Sequence, residues 1–369
     1  MRIPSNRLSH NMMNILNNSM GRIERIQTEM ATGRRIQKPS DDPRATRRLL
    51  ALQQLQADNT QYQGNIADGL RWLTETENSL NEITEVLMQL KEIALQAANE
   101  VPVDRNAMAS TVNELLTEFL DQSRVMIDDR YLFSGYSTST APYTASTTVT
   151  GEAFTAGAVG AATDLENARI ESGSLVVTDL SGTVTYVEGV DYEADYETGR
   201  ITLLGGGAMA EGTGYLADYE TETYSSFSLA DDIEGEIVRQ VARDRTVNVN
   251  LVAPEVFQAD VDLFEMVVGL KNQLWKDDAV GVQGLLDSID TAIDHVTEVL
   301  GVVGTRSVSL ENQQISLESN AINLESMIAD LDGVDLAEAV VRLQAEQMGY
   351  EAALATSANL MQMSLVNYL

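Results

Sequence analysis

The chain contains no cysteine. Disulfides, thiolate catalysis and cysteine-ligated metals are thereby excluded. Positive charge is scarce. The 24 Lys and Arg residues stand against 56 Asp and Glu, a formal net charge of −32, and lysine occurs only at Lys38, Lys91, Lys271 and Lys276. Nucleic acid and anionic membrane surfaces both require clustered basic residues, so neither is an expected partner. Aromatic residues make up 5% of the chain. A core built here must draw on Leu, Ile, Val and Met, which suits long packed helices better than a compact enzyme interior. No apolar run approaches a membrane span, and the N-terminal MRIPSNRLSHNMMNIL lacks the apolar stretch of a secretory signal. Composition alone points to a cytoplasmic chain without membrane insertion.

What is present is helical periodicity. Leu73, Thr76, Leu80, Ile83, Leu87, Leu90, Ala94 and Ala97 follow each other at alternating spacings of three and four, a coiled-coil seam. Val101-Pro102 ends that helix, and Asp104 or Asn106 can cap the next. Leu310, Leu317, Leu324 and Leu331 recur at heptad spacing and are expected to pack on the 73–97 stripe. Gly333 stops that helix, and Asp335-Leu-Ala-Glu338 restarts one in the manner of a capping box.

Both ends carry a long amphipathic helix. Residues 5–33 place Leu8, Met12, Ile15, Ile23, Ile26 and Met30 on one face, and 335–367 place Leu336, Val340, Leu343, Leu354, Ala358, Met361 and Leu365 on another. Neither is stable without a partner for that face, so the two ends should pair with each other or with further copies of the chain. Proline, only 6 in all, marks the break after the first helix: Pro39 and Pro43 bracket Asp41 and Asp42. Ser40 and Asp41 can cap a helix with Pro43 in its first turn.

Between Tyr136 and Tyr224 the only basic residues are Arg169 and Arg200, and Thr, Ser, Gly, Val and Tyr dominate. Short β-prone runs alternate with turn residues there, and Glu197-Thr198-Gly199-Arg200 reads as a hairpin connection. The expected fold class is mainly α with a β insert: a coiled-coil and helical-bundle rod from the two ends of the chain, plus a small mostly-β outer domain. The expected domains are 1–42 with 333–369, 43–135 with 230–332, and 136–229.

Four stretches resemble the flagellin and hook-associated family. MATGRRIQKPSDDP, RYLFSGYSTSTAPY, GTRSVSLENQQISLE and the closing SLVNYL match family motifs, and Pro43 after Asp42 resembles the hook–filament junction branch more than filament flagellin. The likeness covers roughly 1–143 and 230–369. It implies terminal helices that fold on assembly, and export by the flagellar type III apparatus to an extracellular flagellum. It also implies four kinds of partner: copies of itself in a ring, hook-associated protein 1, flagellin and an export chaperone. The implied assembly residues are the apolar positions of both terminal helices together with Leu369, and the implied motif residues are Ser40, Asp41, Asp42, Pro43 and Gly135. A filament subunit is the alternative within the family, and a secreted adhesin the alternative outside it, with Tyr186, Tyr192, Tyr196, Tyr215 and Tyr219 available to stack on sugars.

No catalytic residue, cofactor or metal site is assigned. His10 and His295 stand in helical patterns without a nucleophile or ligand spacing around them. GGGAMAEG (205–212) lacks a following Lys and reads as a turn, and DLDGVD (330–335) has its Gly at the wrong position for a calcium loop.

Overall fold

The computed structural model describes the backbone of residues 5–99 and 104–366, and the side-chain surroundings of 10–99 and 104–359. The elements in chain order are α1 (Ser5–Thr32), α2 (Pro43–Ala97), α3 (Arg105–Ser123), β1 (Met126–Ile127), β2 (Arg130–Tyr131), β3 (Tyr143–Ser146), β4 (Thr148–Thr155), β5 (Ala162–Asp164), β6 (Val176–Asp179), β7 (Thr185–Tyr186), β8 (Tyr192–Asp195), β9 (Arg200–Leu203), β10 (Gly214–Glu220), β11 (Ser226–Leu229), β12 (Val238–Ala242), β13 (Arg245–Asn248), α4 (Ala253–Phe257), α5 (Leu263–Trp275), α6 (Ala279–Asp332) and α7 (Leu336–Val366). The mainly helical class with a β-rich middle is what the sequence led us to expect. Two compact units result: Met1–Gln63 with Gln314–Leu369, and Gly64–Gln313. The terminal unit therefore takes in, beyond the expected 1–42 and 333–369, the first part of α2 up to Gln63 and the last part of α6 from Gln314.

In the Gly64–Gln313 unit, the whole 73–97 stripe of α2 is buried to 1% exposure or less. Its partners are α3, where Ser79 Oγ donates to Gln122 O at 3.1 Å, and the first half of α6, where Lys91 Nζ lies 2.5 Å from Asp290. Val282, Ile289, Ala292, Val296 and Val303 supply the α6 side. The heptad leucines lie elsewhere. Leu310 faces Gly69, where a Cβ would come within 3.1 Å of it, and in the terminal unit Asn59 Nδ2 donates to Leu317 O at 2.9 Å. α2 and α6 are antiparallel, so leucines that follow 310 meet residues that precede 69, not the 73–97 stripe.

α3 starts where Asp104 accepts from the Ala107 N–H at 3.1 Å. It ends at Ser123, and Asp128 and Asp129, both at positive φ, then turn the chain through the β1–β2 hairpin. The RYLFSGYSTSTAPY stretch then folds into the core. Leu132, Phe133 and Ser134 are buried, and the Tyr136 N–H donates to Glu234 O at 2.9 Å. Gly135 sits at φ +56°, and a Cβ there would lie 2.3 Å from Glu234 O. Only glycine fits that approach. The phenylalanines, few as they are, gather at this point. Phe119, Phe133, Phe227, Phe257, Phe264 and Tyr143 form one linked cluster, with Phe119–Phe264 centroids 5.0 Å apart and Phe227 stacked on Phe264 at 4.5 Å. Each such pair contributes about 0.5–1.5 kcal/mol beyond its buried area. The expectation of a core without aromatics is corrected here: scarcity overall coexists with concentration at one site.

The insert leaves and rejoins this cluster through adjacent strands, β3 pairing antiparallel with β11 from Tyr143↔Leu229 to Ser146↔Ser226. Beyond that neck lie a four-stranded sheet ordered β4-β10-β6-β7 and a three-stranded one ordered β5-β9-β8. The expected hairpin is β8–β9, with Asp195 opposite Arg200 and Gly199 at φ +69°. Tyr192, Tyr215 and Tyr219 are interior to the insert, packed with Phe154, Val177 and Ile201, so they are not free to stack on a ligand. The strands do not end at 229. A further hairpin, β12–β13, occupies 238–248, and helix resumes only at Ala253.

Two of the four lysines hold the insert to α5. Lys271, 1% exposed, donates to Tyr224 O at 2.5 Å and Thr223 Oγ1 at 3.0 Å, with its Nζ 5.3 Å from the Trp275 ring. Burial with no facing carboxylate pushes its pKa down to about 8. One turn on, Lys276 donates to the Leu165 and Glu166 carbonyls, and Asn272 donates to Asn167 Oδ1 at 2.9 Å. Burial lowers the Lys276 pKa too. His295 is held in place, its Nε2 2.9 Å from Glu255 O and its Nδ1 3.6 Å from Asp260.

Candidate assembly interface

The terminal unit is organised by the break that the sequence placed at 33–42. Gly33 takes φ +68°, which a helix-ending glycine adopts without strain. The chain then docks on the other break: Arg34 bridges Gly333, the Arg35 N–H donates to Asp332 O at 2.7 Å, and the Ile36 N–H donates to Asp332 Oδ1 at 2.8 Å. A Cβ on Gly333 would lie 2.3 Å from Ala329 O. Asp335 caps α7, accepting from Ala337 N at 2.8 Å and Glu338 N at 3.2 Å. Glu338 does not return the bond as a full capping box would. It reaches instead to Arg342, at 3.6 Å.

Of the residues expected to cap α2, neither does so. Asp42 is the cap, accepting from Arg44 N at 3.1 Å and Ala45 N at 3.0 Å. Asp41 closes the preceding turn instead, accepting from Lys38 N at 2.9 Å and Gln37 N at 3.2 Å. Ser40 is exposed. Pro43 opens the helix, where its missing N–H is not needed. The Ala45 N–H lowers the pKa of Asp42, and the Lys38 N–H that of Asp41.

α1 and α7 pack on each other. On α1 the seam runs Met12, Leu16, Ser19, Ile23, Ile26, Met30, with Ile23 and Ile26 buried. On α7 it runs Ala339, Leu343, Glu346, Tyr350, Ala353, Ser357. Met12, Ile23, Ile26 and Leu343 of the expected set thus face the partner helix. Leu336, Val340 and Leu354 do not: they stand 56%, 39% and 43% exposed, as does Ile15 at 52%. Of the α7 face chosen by counting large apolar residues, α1 covers Leu343 and leaves Leu336, Val340 and Leu354 open. Leu8, Met361 and Leu365 fall where only the backbone is described, and Leu369 lies outside the described residues.

Sequence reasoning missed the polar members of this seam. Arg22 Nε donates to Glu346 Oε1 at 2.9 Å, and Ser19 Oγ to Oε2 at 3.4 Å. The bond from Arg22 lowers the Glu346 pKa. Arg25 Nε donates to Glu29 Oε1 at 3.1 Å, and Arg342 Nη1 approaches Glu29 Oε2 to 4.0 Å. A signal was available, since Ser19 and Glu346 sit at seam positions of the two heptads.

Comparison with known proteins places these elements. Residues 3–138 match the bacterial flagellin N-terminal helical region and residues 286–369 the bacterial flagellin C-terminal helical region, together more than half of the chain. Residues 134–237 match a protein family of unknown function. Flagellar hook-associated protein 3 of Escherichia coli K12 is 29% identical over 146 residues, 39% of this chain and 46% of that protein. A flagellar filament 30.7 kDa core protein of Treponema maltophilum is 26% identical over 178 residues, 47% of this chain and 60% of that protein. The chain thus spans about half the length of the curated relatives it matches. A Vibrio parahaemolyticus structure described as a flagellar hook-associated protein superposes with TM-score 0.52 at 18% identity, over 79% of this chain and 100% of that one. It has the same fold.

Proposed function

The chain belongs to the flagellin family, and from that premise we propose that it is the junction between flagellar hook and filament, a structural adaptor and not an enzyme. The observation that carries an assembly role is apolar surface left bare after α1 and α7 have paired: Met13, Ile15, Met20, Leu336, Val341, Met348 and Leu354 are all exposed. Two helices cannot cover more of each other, and full burial of one such side chain stabilises by roughly 1.5–3 kcal/mol. Neighbouring copies supply the missing cover. That gain offsets the entropy of ordering the helices and the mutual repulsion of chains carrying −32 charges. A junction, and not a bulk filament subunit, is favoured by the hook-associated protein 3 relative, by Pro43 and by the closing SLVNYL.

In this reading copies form a ring above hook-associated protein 1 and beneath flagellin. An export chaperone holds the chain before the flagellar type III apparatus passes it out to the extracellular flagellum. The domains would divide the work: the terminal helices assemble, the bundle supports, and the acidic insert faces the medium. Deleting the gene and assaying flagellin in the culture fluid tests the role. Bare hooks with flagellin lost as monomer is the expected result. Normal filaments would refute it.

A further inference from the structure

The apolar part of the α1–α7 seam does not determine how the two helices are aligned. Its positions recur at heptad spacing on both helices, and three of the six that α7 contributes are small, Ala339, Ala353 and Ser357. Sliding α7 by one heptad lays one apolar stripe on another at little cost. The charges behave differently. In the observed alignment each helix offers one carboxylate to arginine of the other: Glu346 to Arg22 at 2.9 Å, and Glu29 to Arg342 at 4.0 Å. Glu29 is also deep, its side chain only 6% exposed, so it tolerates no uncompensated neighbour.

We infer that Arg22, Glu29, Arg342 and Glu346 set the alignment of α1 on α7 by making both one-heptad slips electrostatically wrong. The consequence follows from the sequence numbers of the observed partners. A slip in one direction carries Glu346 to the level of Glu29, carboxylate against buried carboxylate. The opposite slip carries Arg342 to the level of Arg22 and Asp335 to that of Glu29, so both new pairs are like-charged. Single pairs this exposed add little stability, since Arg22 is half exposed. Their effect is on the choice between alternatives, the best-attested use of polar groups in a helical seam. The four side chains thus determine which alignment α1 and α7 take when they pair, whatever the chain joins.

The absence of cysteine makes the test clean. Two full-length variants are made: Ile26→Cys with Leu343→Cys, which face each other in the observed alignment, and Ile26→Cys with Tyr350→Cys, which meet only after a one-heptad slip. Intrachain disulfide is measured in each after mild oxidation. The first pair should close and the second should not. Adding Glu346→Arg sets like charges at Arg22 in the observed alignment and opposite charges at Glu29 in the slipped one, so the ratio of slipped to observed disulfide should rise at least about tenfold. Glu346→Gln, which removes the charge without reversing it, should give a smaller rise. An unchanged ratio in Glu346→Arg would overturn the inference. So would loss of both disulfides, because the charges would then be needed for pairing itself and not for alignment.

Discussion

Lys271→Met should diminish a rise in stability that the natural protein shows on going from neutral to alkaline pH. Lys271 holds the loop at Thr223 and Tyr224 while buried, and its folded pKa is about 8 against 10.5 for a free lysine. Between those two values the unfolded chain keeps the proton and the folded chain has released it, so stability climbs as pH rises. The full span corresponds to about 3 kcal/mol, of which about 2 kcal/mol is realised by about pH 9.5. For a unit of this size that is a gain of roughly 4–8 °C in melting temperature. The tyrosines act in the opposite sense. Burial raises Tyr192 to about 12 and drives Tyr143 and Tyr219 up as well. Above pH 10 the unfolded chain loses those protons and the folded chain retains them, so stability falls. A maximum near pH 10 is therefore expected in the natural protein. Thermal unfolding followed by circular dichroism at about pH 7.5, 8.5 and 9.5 resolves the climb. Lys271→Met starts from a different baseline because it loses two hydrogen bonds, but its climb should be smaller, keeping only the part that comes from Lys276, whose pKa burial also lowers. Parallel profiles for the two proteins would refute the reasoning.

Other substitutions test the local accounts. Asp42→Ala removes the α2 cap and should cost about 1 kcal/mol in urea unfolding, whereas Ser40→Ala should stay within about 0.5 kcal/mol. Gly135→Ala forces a Cβ onto Glu234 O and should cost at least about 1–3 kcal/mol, read as a lowered urea midpoint. Leu80→Ala opens a cavity in the fully buried α2 stripe and should cost about 2–5 kcal/mol. Leu354→Asp touches only exposed surface, so it should leave the melting temperature of the free chain unchanged while impairing assembly, scored by sedimentation of assembled material.

The parts of the fold that were legible in the sequence share a physical cause. The 73–97 stripe and the Glu197–Arg200 turn are local patterns, fixed by 3.6-residue or two-residue periodicity and by a glycine that accepts positive φ. What was not legible depends on partners far along the chain. Which residues Leu310 and Leu317 meet is set by the antiparallel alignment of α2 and α6. That alignment brings Gly69 under Leu310, and nothing near either residue announces it. The cap of α2 was misplaced by one residue because Ser40, Asp41 and Asp42 are all competent. Asp41 is claimed by the Gln37 and Lys38 amides of the preceding turn. On α7, ranking by hydrophobicity selected Leu336, Val340 and Leu354, which α1 leaves uncovered, and passed over Ala339, Ala353 and Ser357, which it covers. The same bias concealed Glu29 and Glu346 as seam residues.

The β3–β11 ladder has a meaning for how such a chain can vary. The chain departs at Ser146 and returns at Ser226 on neighbouring strands, about 5 Å apart as in any antiparallel pair. Everything between them hangs from one two-stranded socket, seated on Tyr143, Phe227 and Phe264. A module of any size or topology can occupy that socket, provided its ends lie side by side and it presents carbonyls to Lys271 and Lys276. The insert can therefore be exchanged as a cassette, while α1 and α7 remain bound by the geometry of their mutual packing.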